Sequence, residues 1–367
     1  MWTITKDKTW TALENFSWIS DMQHVPQSPV HHAEGNVAVH TQMVLRALET
    51  MTEYQLLAAD EQELLWAAAL LHDVEKRSCT FTDDNGDIVS PGHAKKGALT
   101  TRKILYKELS CPFSIREEVV GLVRYHGLPL WVFDKQNPVQ YLLKASLETN
   151  TRLLAMLAKA DVLGRICKDQ HELLYKINLY EELCREQDCW GRPKAFGNAL
   201  ARFQYFRKDD RTADYVPFDD YRGEVILLSG IAGSGKDFYI KKNLADYPVI
   251  SLDDMRRKIK AKHNDAIANG RIIQEAKELA KTFLRKGQPF VWNATNITVQ
   301  MSGQLIDLFD DYRAKTKIIY IEVPYRELLA QNKNRQHPIP ETALDRMIDK
   351  LEIPKAWEAC EVRYMMS

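Results

Sequence analysis

The chain is predicted to fold as two domains of different class, an all-α domain followed by an α/β domain built on a parallel sheet. Three observations carry this prediction. Histidines are unevenly placed, with seven of ten at or before His126, among apolar stretches of helical period. The phosphate-loop spacing Gly230-Ile231-Ala232-Gly233-Ser234-Gly235-Lys236 follows an apolar run at residues 225–229 that suits a strand buried on both faces. Beyond the loop, strand-like runs alternate with stretches long enough for helices. A length of 367 residues agrees with about two domains, and 45% hydrophobic residues suffice for a core in each.

Composition excludes several classes. Fifty basic and fifty acidic residues cancel, so bulk charge does not mark a nucleic-acid binder, and such binding must use a local patch. The longest uninterrupted apolar run, residues 64–71, is far short of a membrane span, and Lys6, Asp7 and Lys8 stand where a signal segment would be apolar. No membrane role is expected. The cysteines Cys79, Cys111, Cys167, Cys184, Cys189 and Cys360 form no C-x-x-C pair, which fits reduced thiols and a cytoplasmic location.

In chain order, Trp2, Trp10, Phe16 and Trp18 are read as packing residues. His31-His32-Ala33-Glu34-Gly35 leads to His40-Thr41 and an apolar pattern that predicts a helix with His40 near its start. Asp60 and Glu63 have capping-box spacing, which predicts a helix that begins there and runs through residues 64–71 into His72-Asp73-Val74-Glu75-Lys76. A carboxylate at the end of so apolar a helix costs several kcal/mol unless it is paired or bound to metal. Lys76, three residues after Asp73, shares its face if the helix continues that far. Residues 80–90 read as a hairpin turning at Asn85-Gly86, with Asp83, Asp84 and Asp87 solvated, since the Gly and Glu of a calcium loop are missing. His93 precedes Lys95, Lys96 and a helix. Helical patterns return around residues 115–125, ending at His126-Gly127, and from 153 to 159, leading to Asp161 and Arg165.

These words in this order resemble the H, HD, H, H, D pattern of the HD phosphohydrolase superfamily. The stretches His32-Ala-Glu-Gly with His40-Thr, then LLHDVEK, GHAKKGA and RYHG, are similar to the HD domain attached to bacterial CCA-adding enzymes, over roughly residues 25–170. The resemblance implies that His40, His72, Asp73 and Asp161 hold one metal, while His93 and His126 complete a second site bridged by Asp73. Mixed imidazole and carboxylate ligands suit one or two ions of Mn, Co, Ni, Fe or Zn better than calcium, and such an ion acidifies bound water for attack on phosphorus. Lys76 is expected to neutralise phosphoryl oxygens. His32 and Arg165 are further candidates; His24, His31 and His171 are read as structural.

Residues 171–222 interleave Trp190, Phe196, Phe203, Tyr205, Phe206, Tyr215, Phe218 and Tyr221 with Arg202, Arg207, Lys208 and Arg211. Such a stretch can stack bases. A helical connector that packs against its neighbours is the favoured reading.

In the phosphate loop, Gly230, Gly233 and Gly235 let the backbone curl so that N–H groups point at phosphate oxygens, and Lys236 and the following helix start add positive charge. The loop reads as a cradle for ATP or a similar nucleotide. Asp237 replaces the usual magnesium-binding Ser or Thr, and its carboxylate is expected to hold Mg2+ directly or through water. Residues 248–252, 290–293 and 317–322 read as further strands. Ligands bind at the carboxyl ends of such strands, which places Asp253 and Asn293 beside the loop. Asp253 followed by Arg256 suits accepting a proton from a hydroxyl and fixing an adjacent phosphate, and Asp253 is also placed to cap a helix. The run Arg256, Arg257, Lys258, Lys260, Lys262 lies next to this acceptor site and is equally divided between a strand-binding role and a solvated face.

Here the sequence resembles the polynucleotide kinases of bacteriophage and bacterial repair systems. In them the acid matching Asp253 activates the 5′-hydroxyl and the Arg matching Arg256 orients it, and the run from residue 328 to 359 is similar to their lid, with Arg335 matching a phosphate-contacting arginine. Gln331 stands where a second lid arginine is usual. The order of domains, an HD domain at 1–170, a connector at 171–222 and a kinase domain at 223–367, resembles the HD-Pnk family of end-healing enzymes. That resemblance implies phosphorylation of 5′-OH ends of RNA or DNA and removal of 2′,3′-cyclic, 2′ or 3′ phosphate, leaving ends that a ligase can join. Two alternatives stand beside it: a small-molecule kinase fused to a nucleotide phosphohydrolase, and an HD phosphohydrolase gated by ATP.

Overall fold

A computed structural model describes residues 2–208, 211–260, 265–335 and 338–366. Its contacts divide the chain into two compact units, Met1–Ala195 and Phe196–Ser367. Helix Gln170–Glu186 lies in the first and helix Ala199–Tyr205 in the second.

The first unit is helical apart from a small antiparallel hairpin, β1 (Phe81–Thr82) with β2 (Ile88–Val89), turned where Gly86 takes φ +86°. Helix Val37–Thr50 is capped by Asn36, whose side chain accepts from Val39 N, and presents Val37, His40, Thr41, Val44 and Leu48 to the core. Helix Ala59–Leu71 brings a continuous buried run, Leu65 to Leu71, into the centre. It begins earlier than the Asp60–Glu63 spacing predicts. Its N-cap is Ala58, and Asp60 lies within the first turn, where its charge meets the helix dipole instead of capping an N–H. It also stops at Leu71: residues 72–75 form a turn, and a separate short helix, Lys76–Cys79, follows. Helix Phe113–Tyr125 delivers His126 at its end, and helix Thr151–Leu163, capped by Asn150, carries Asp161.

The second unit is a five-stranded sheet in the order β4-β5-β3-β6-β7, all neighbours parallel. The strands are β3 (Gly223–Ser229), β4 (Val249–Ser251), β5 (Phe290–Asn293), β6 (Ala314–Glu322) and β7 (Glu361–Met366). Alternate side chains of β3 feed two cores. Val225 and Leu227 pack with Phe290, Trp292 and Phe309 on one face, while Ile226 and Leu228 pack with Val291, Ile319 and Ile321 on the other. The chain crosses to one side of β3 and then to the other, so the loop after β3 sits at the topological switch point. β7 is not foreseen by the sequence reading. It lies at the sheet edge with its last four residues exposed, so it lacks the apolar run that marks a buried strand.

Among the aromatics of residues 196–222, Phe203 and Tyr205 are buried and Phe196, Tyr205 and Phe206 form a ring cluster; Tyr215 and Phe218 are exposed. Arg202 donates to the carbonyls of Ala356 (2.9 Å) and Cys360 (3.0 Å). No described helix is long and apolar enough to cross a membrane. All six cysteines are free thiols.

One close approach ties this fold to chemistry. A Cβ on Gly164 would lie 2.7 Å from Val44 N and 2.8 Å from Val44 Cα, so only glycine lets the Asp161 helix end against the His40 helix. Gly164→Ala is expected to destabilise the first unit by about 1–3 kcal/mol, as overpacking does. Urea unfolding of that unit measures it; a loss below about 0.5 kcal/mol, the ordinary scale of an exposed substitution, would mean the two helices have slack to part.

Candidate active sites

The first unit gathers its ionisable groups at one buried point. His40, His72 and Asp161 present donor atoms within 4.8 Å of one another, and so do Asp73, His93 and His126. Asp73 joins the groups: its Oδ2 lies 3.3 Å from His72 Nε2 and 3.7 Å from His40 Nε2, and its Oδ1 lies 3.4 Å from His93 Nε2 and 3.9 Å from His126 Nε2. His40 Nε2 is 3.1 Å from Asp161 Oδ1, and the Nε2 atoms of His93 and His126 are 3.3 Å apart. All six residues that the resemblance implies as metal ligands therefore converge.

Backbone carbonyls turn three of the rings. His72, His93 and His126 each place Nδ1 against the carbonyl three residues earlier, Ala69 (2.7 Å), Ser90 (2.7 Å) and Val123 (2.9 Å). An acceptor at Nδ1 fixes the proton there and leaves Nε2 as a lone pair aimed at the centre. His40 Nδ1 lies 2.8 Å from Glu34 Oε1, off the line of an ideal hydrogen bond. His40 Nε2, His72 Nε2 and Asp73 Oδ1 are buried without a hydrogen-bond partner. A set of inward lone pairs and carboxylates with its protons turned outward suits a divalent metal of the borderline class.

Charge is balanced from two sides. Burial raises the Asp73 carboxyl, yet Lys76, with Nζ 2.8 Å away, holds it well below the usual range. Burial likewise opposes ionisation of Asp161, and the Arg165 guanidinium, with Nε at 2.9 Å, holds it down. Lys76 keeps its reach although the helix breaks, because the turn at residues 72–75 brings it back, and it donates to Gln27 Oε1 at 2.6 Å. Burial and the neighbouring His93 push His126 down to about 3, the neutral form a ligand needs. Burial pushes His32 down to about 4. His31 and His32 line a cavity together with Asp73, His93, His126 and Asp161, whereas His24 and His171 do not.

The sequence reading passed over Glu34 and Gln27. Glu34 accepts from Ile166 N (2.9 Å) and stands against Nδ1 of both His32 (2.9 Å) and His40. The spacing of Glu34 to those histidines was visible, but only the turn before the His40 helix brings the three together.

In the second unit the loop after β3 has φ of +146° at Gly230, +92° at Gly233 and +94° at Gly235, and a Cβ on Gly230 would meet Ile321 O at 2.4 Å. Helix Lys236–Asn243 starts directly behind it, with Ile231, Ala232 and Ser234 buried in the loop and Asp237 in the first turn. Lys236 Nζ donates to the carbonyls of Gly230 (2.7 Å) and Ile231 (2.9 Å), and burial pushes its ammonium down to about 8 against the pull of Asp237 and Asp253. Asp237 accepts from Asn293 Nδ2 at 2.8 Å, which turns its carboxylate toward the end of β5.

A cavity of about 510 Å³ is lined by Lys236, Asp237, Asp253, Arg256, Gln331 and Arg335 among others. Helix Leu252–Lys258 is capped by Ser251, whose hydroxyl accepts from Asp254 N, so Asp253 is not the cap and its carboxylate pairs with Arg256. Arg256 is oriented a second time by Asn269 Oδ1 at 2.9 Å. Arg335 reaches the loop from the bend just after helix Tyr325–Lys333, its Nη1 3.9 Å from the point a Cβ on Gly233 would occupy; Gln331 instead donates to Glu327 Oε1. Of the basic run, Arg256, Arg257 and Lys258 end the helix and Arg257 pairs with Asp254; Lys262 lies outside the described residues.

Glu34→Ala is expected to weaken divalent-metal affinity of the first unit about 10- to 100-fold by freeing the His40 ring. Competition against a chromophoric chelator reads this, and an unchanged affinity would leave Glu34 a purely structural residue.

Comparison with known proteins finds one domain family in each unit. The HD domain family matches residues 37–165, and an AAA domain family matches residues 225–354. The multifunctional CCA protein of Halorhodospira halophila is 34% identical over 102 residues, 28% of this chain. The match spans only 22% of that protein's length. A crystal structure of a kinase from Chloroflexus aurantiacus covers 40% of this chain and 88% of its own at 15% identity, with a TM-score of 0.33. A sugar kinase from Janibacter sp. covers 39% and 85% at 14% identity, with a TM-score of 0.31. The chain thus joins a mostly helical HD domain, which implies a divalent metal, to a P-loop kinase-like domain with a five-stranded parallel sheet, which implies a nucleotide and Mg2+.

Proposed function

We propose that the chain is a bifunctional nucleic-acid end-healing enzyme. The kinase domain transfers the γ-phosphate of ATP to a 5′-OH end of RNA or DNA, and the HD domain removes 2′,3′-cyclic, 2′ or 3′ phosphate. The observation that carries this reading is the pairing, in one chain, of an inward-facing imidazole and carboxylate cluster with a phosphate loop whose cavity also holds the Asp253–Arg256 pair.

In the kinase cavity the loop N–H groups and Lys236 hold the triphosphate, which draws the ammonium off the carbonyls of Gly230 and Ile231. Asp253 accepts the proton of the attacking 5′-hydroxyl, Arg256 holds the phosphate next to it, and Arg335 follows charge developing on the transferred group. Asp237, braced by Asn293, stands where Mg2+ is held. In the HD cavity, His40, His72, Asp73, His93, His126 and Asp161 would hold one or two divalent ions of Mn, Co, Ni, Fe or Zn. Such an ion supplies acidified water and positive charge. Lys76 neutralises the phosphoryl oxygens, and Arg165 keeps Asp161 ionised. The ends left by the two reactions are those a ligase joins.

The two activities are expected to separate by mutation. Lys236→Ala removes a charge from the transition state of phosphoryl transfer and is expected to lower 5′ phosphorylation at least about a hundredfold, leaving end dephosphorylation within a few-fold. His72→Ala with Asp73→Ala is expected to do the reverse. An oligonucleotide with a 5′-OH and a 2′,3′-cyclic end reads both: labelled ATP follows the 5′ end, and the mass of the product follows loss of the terminal phosphate. Loss of phosphoesterase activity in a folded Lys236→Ala protein would replace this reading with gating of the HD site by ATP.

A further inference from the structure

The HD cavity, about 710 Å³, is large enough to enclose a nucleotide, whereas the His/Asp cluster occupies only one part of its wall. The rest of the lining is mixed: Gln27, Lys76 and Arg165 stand near the cluster, and an apolar part is formed by Ile88, Val89, Pro91, Leu130, Leu173 and Trp131. Trp131 is the unusual member. It ends the short helix Leu128–Trp131 that begins immediately after His126-Gly127, and its Cδ1 lies 3.6 Å from where a Cβ on Gly127 would be. Leu128, Pro129 and Leu130 of the same helix are buried, yet Trp131 is 43% exposed. A separate helix, Gln170–Glu186, sets Lys176 Nζ 4.6 Å from the centre of its ring.

A half-exposed indole braced by a cation, in the same cavity as a phosphoester-binding cluster, has the features of a stacking platform. We propose that Trp131 is the nucleobase subsite of the HD cavity, holding the base of the terminal nucleotide while its phosphoester lies against the His/Asp cluster. This rests on the phosphohydrolase reading and narrows its substrates to nucleoside-linked phosphoesters. Stacking uses the π-face that every base has, so all four bases are accepted alike.

The test compares nucleoside 2′,3′-cyclic monophosphates with methyl riboside 2′,3′-cyclic phosphate, which has the same reacting group and no base. The native protein is expected to favour the base-bearing substrates by about tenfold or more in kcat/KM, mainly through KM, the scale of one stacked base. In Trp131→Ala that ratio falls to about one, and Trp131→Phe, which keeps a ring, restores most of it. An equal loss on both substrates, or no loss on either, overturns the subsite and leaves the phosphohydrolase reading in place. Hydrolysis of neither substrate by the native protein overturns both.

Discussion

The N-terminal domain is built around two carboxylates that are almost wholly removed from water. Asp73 and Asp161 are 2% and 1% exposed, and an unpaired buried carboxylate costs several kcal/mol. The surrounding structure answers that cost. The apolar helix Ala59–Leu71 ends where Asp73 must be, the break at residues 72–75 returns Lys76 to it, and Arg165 lies one turn beyond Asp161 to pair with it. Carbonyls at Ala69, Ser90 and Val123 turn three imidazoles so that their lone pairs face the same centre. Inward lone pairs beside two ionised carboxylates form a donor set that suits a divalent cation.

The P-loop domain solves a different problem with backbone. Strand β3 is buried on both faces, so its end is rigid, and three glycines with positive φ turn the loop back on itself there. Lys236 is parked on that loop's own carbonyls, a contact that phosphate oxygens can replace. Ser251 takes the capping role, which leaves Asp253 to its pair with Arg256 and sets a carboxylate and a guanidinium in the cavity beside the glycine loop.

Much of this was legible because it is periodic or tightly spaced. The strands at residues 225–229 and 290–293 show as apolar runs, the loop shows as glycines at fixed offsets, and the HD words fall in order along the chain. The misses have physical causes. Asp60 and Glu63 have the spacing of a capping box, but Ala58 already holds the extended conformation that starts the helix. β7 pairs through its backbone at an exposed edge, where side chains carry little pattern. Glu34 and Gln27 meet their partners across turns that spacing alone does not reveal, and no motif in the sequence marks Trp131, which lines the same cavity as His126 and is half-exposed.

The central claim, that the buried cluster exists to hold a divalent metal, is tested most directly by elemental mass spectrometry of the purified chain, paired with thermal unfolding before and after chelation. The account predicts about one to two equivalents of a transition ion per chain, lower thermal stability of the HD domain once the ion is removed, and recovery when it is returned. Asp73→Asn should bind far less. A native chain that carries no ion, binds none on titration and unfolds at the same temperature with and without chelator would contradict it.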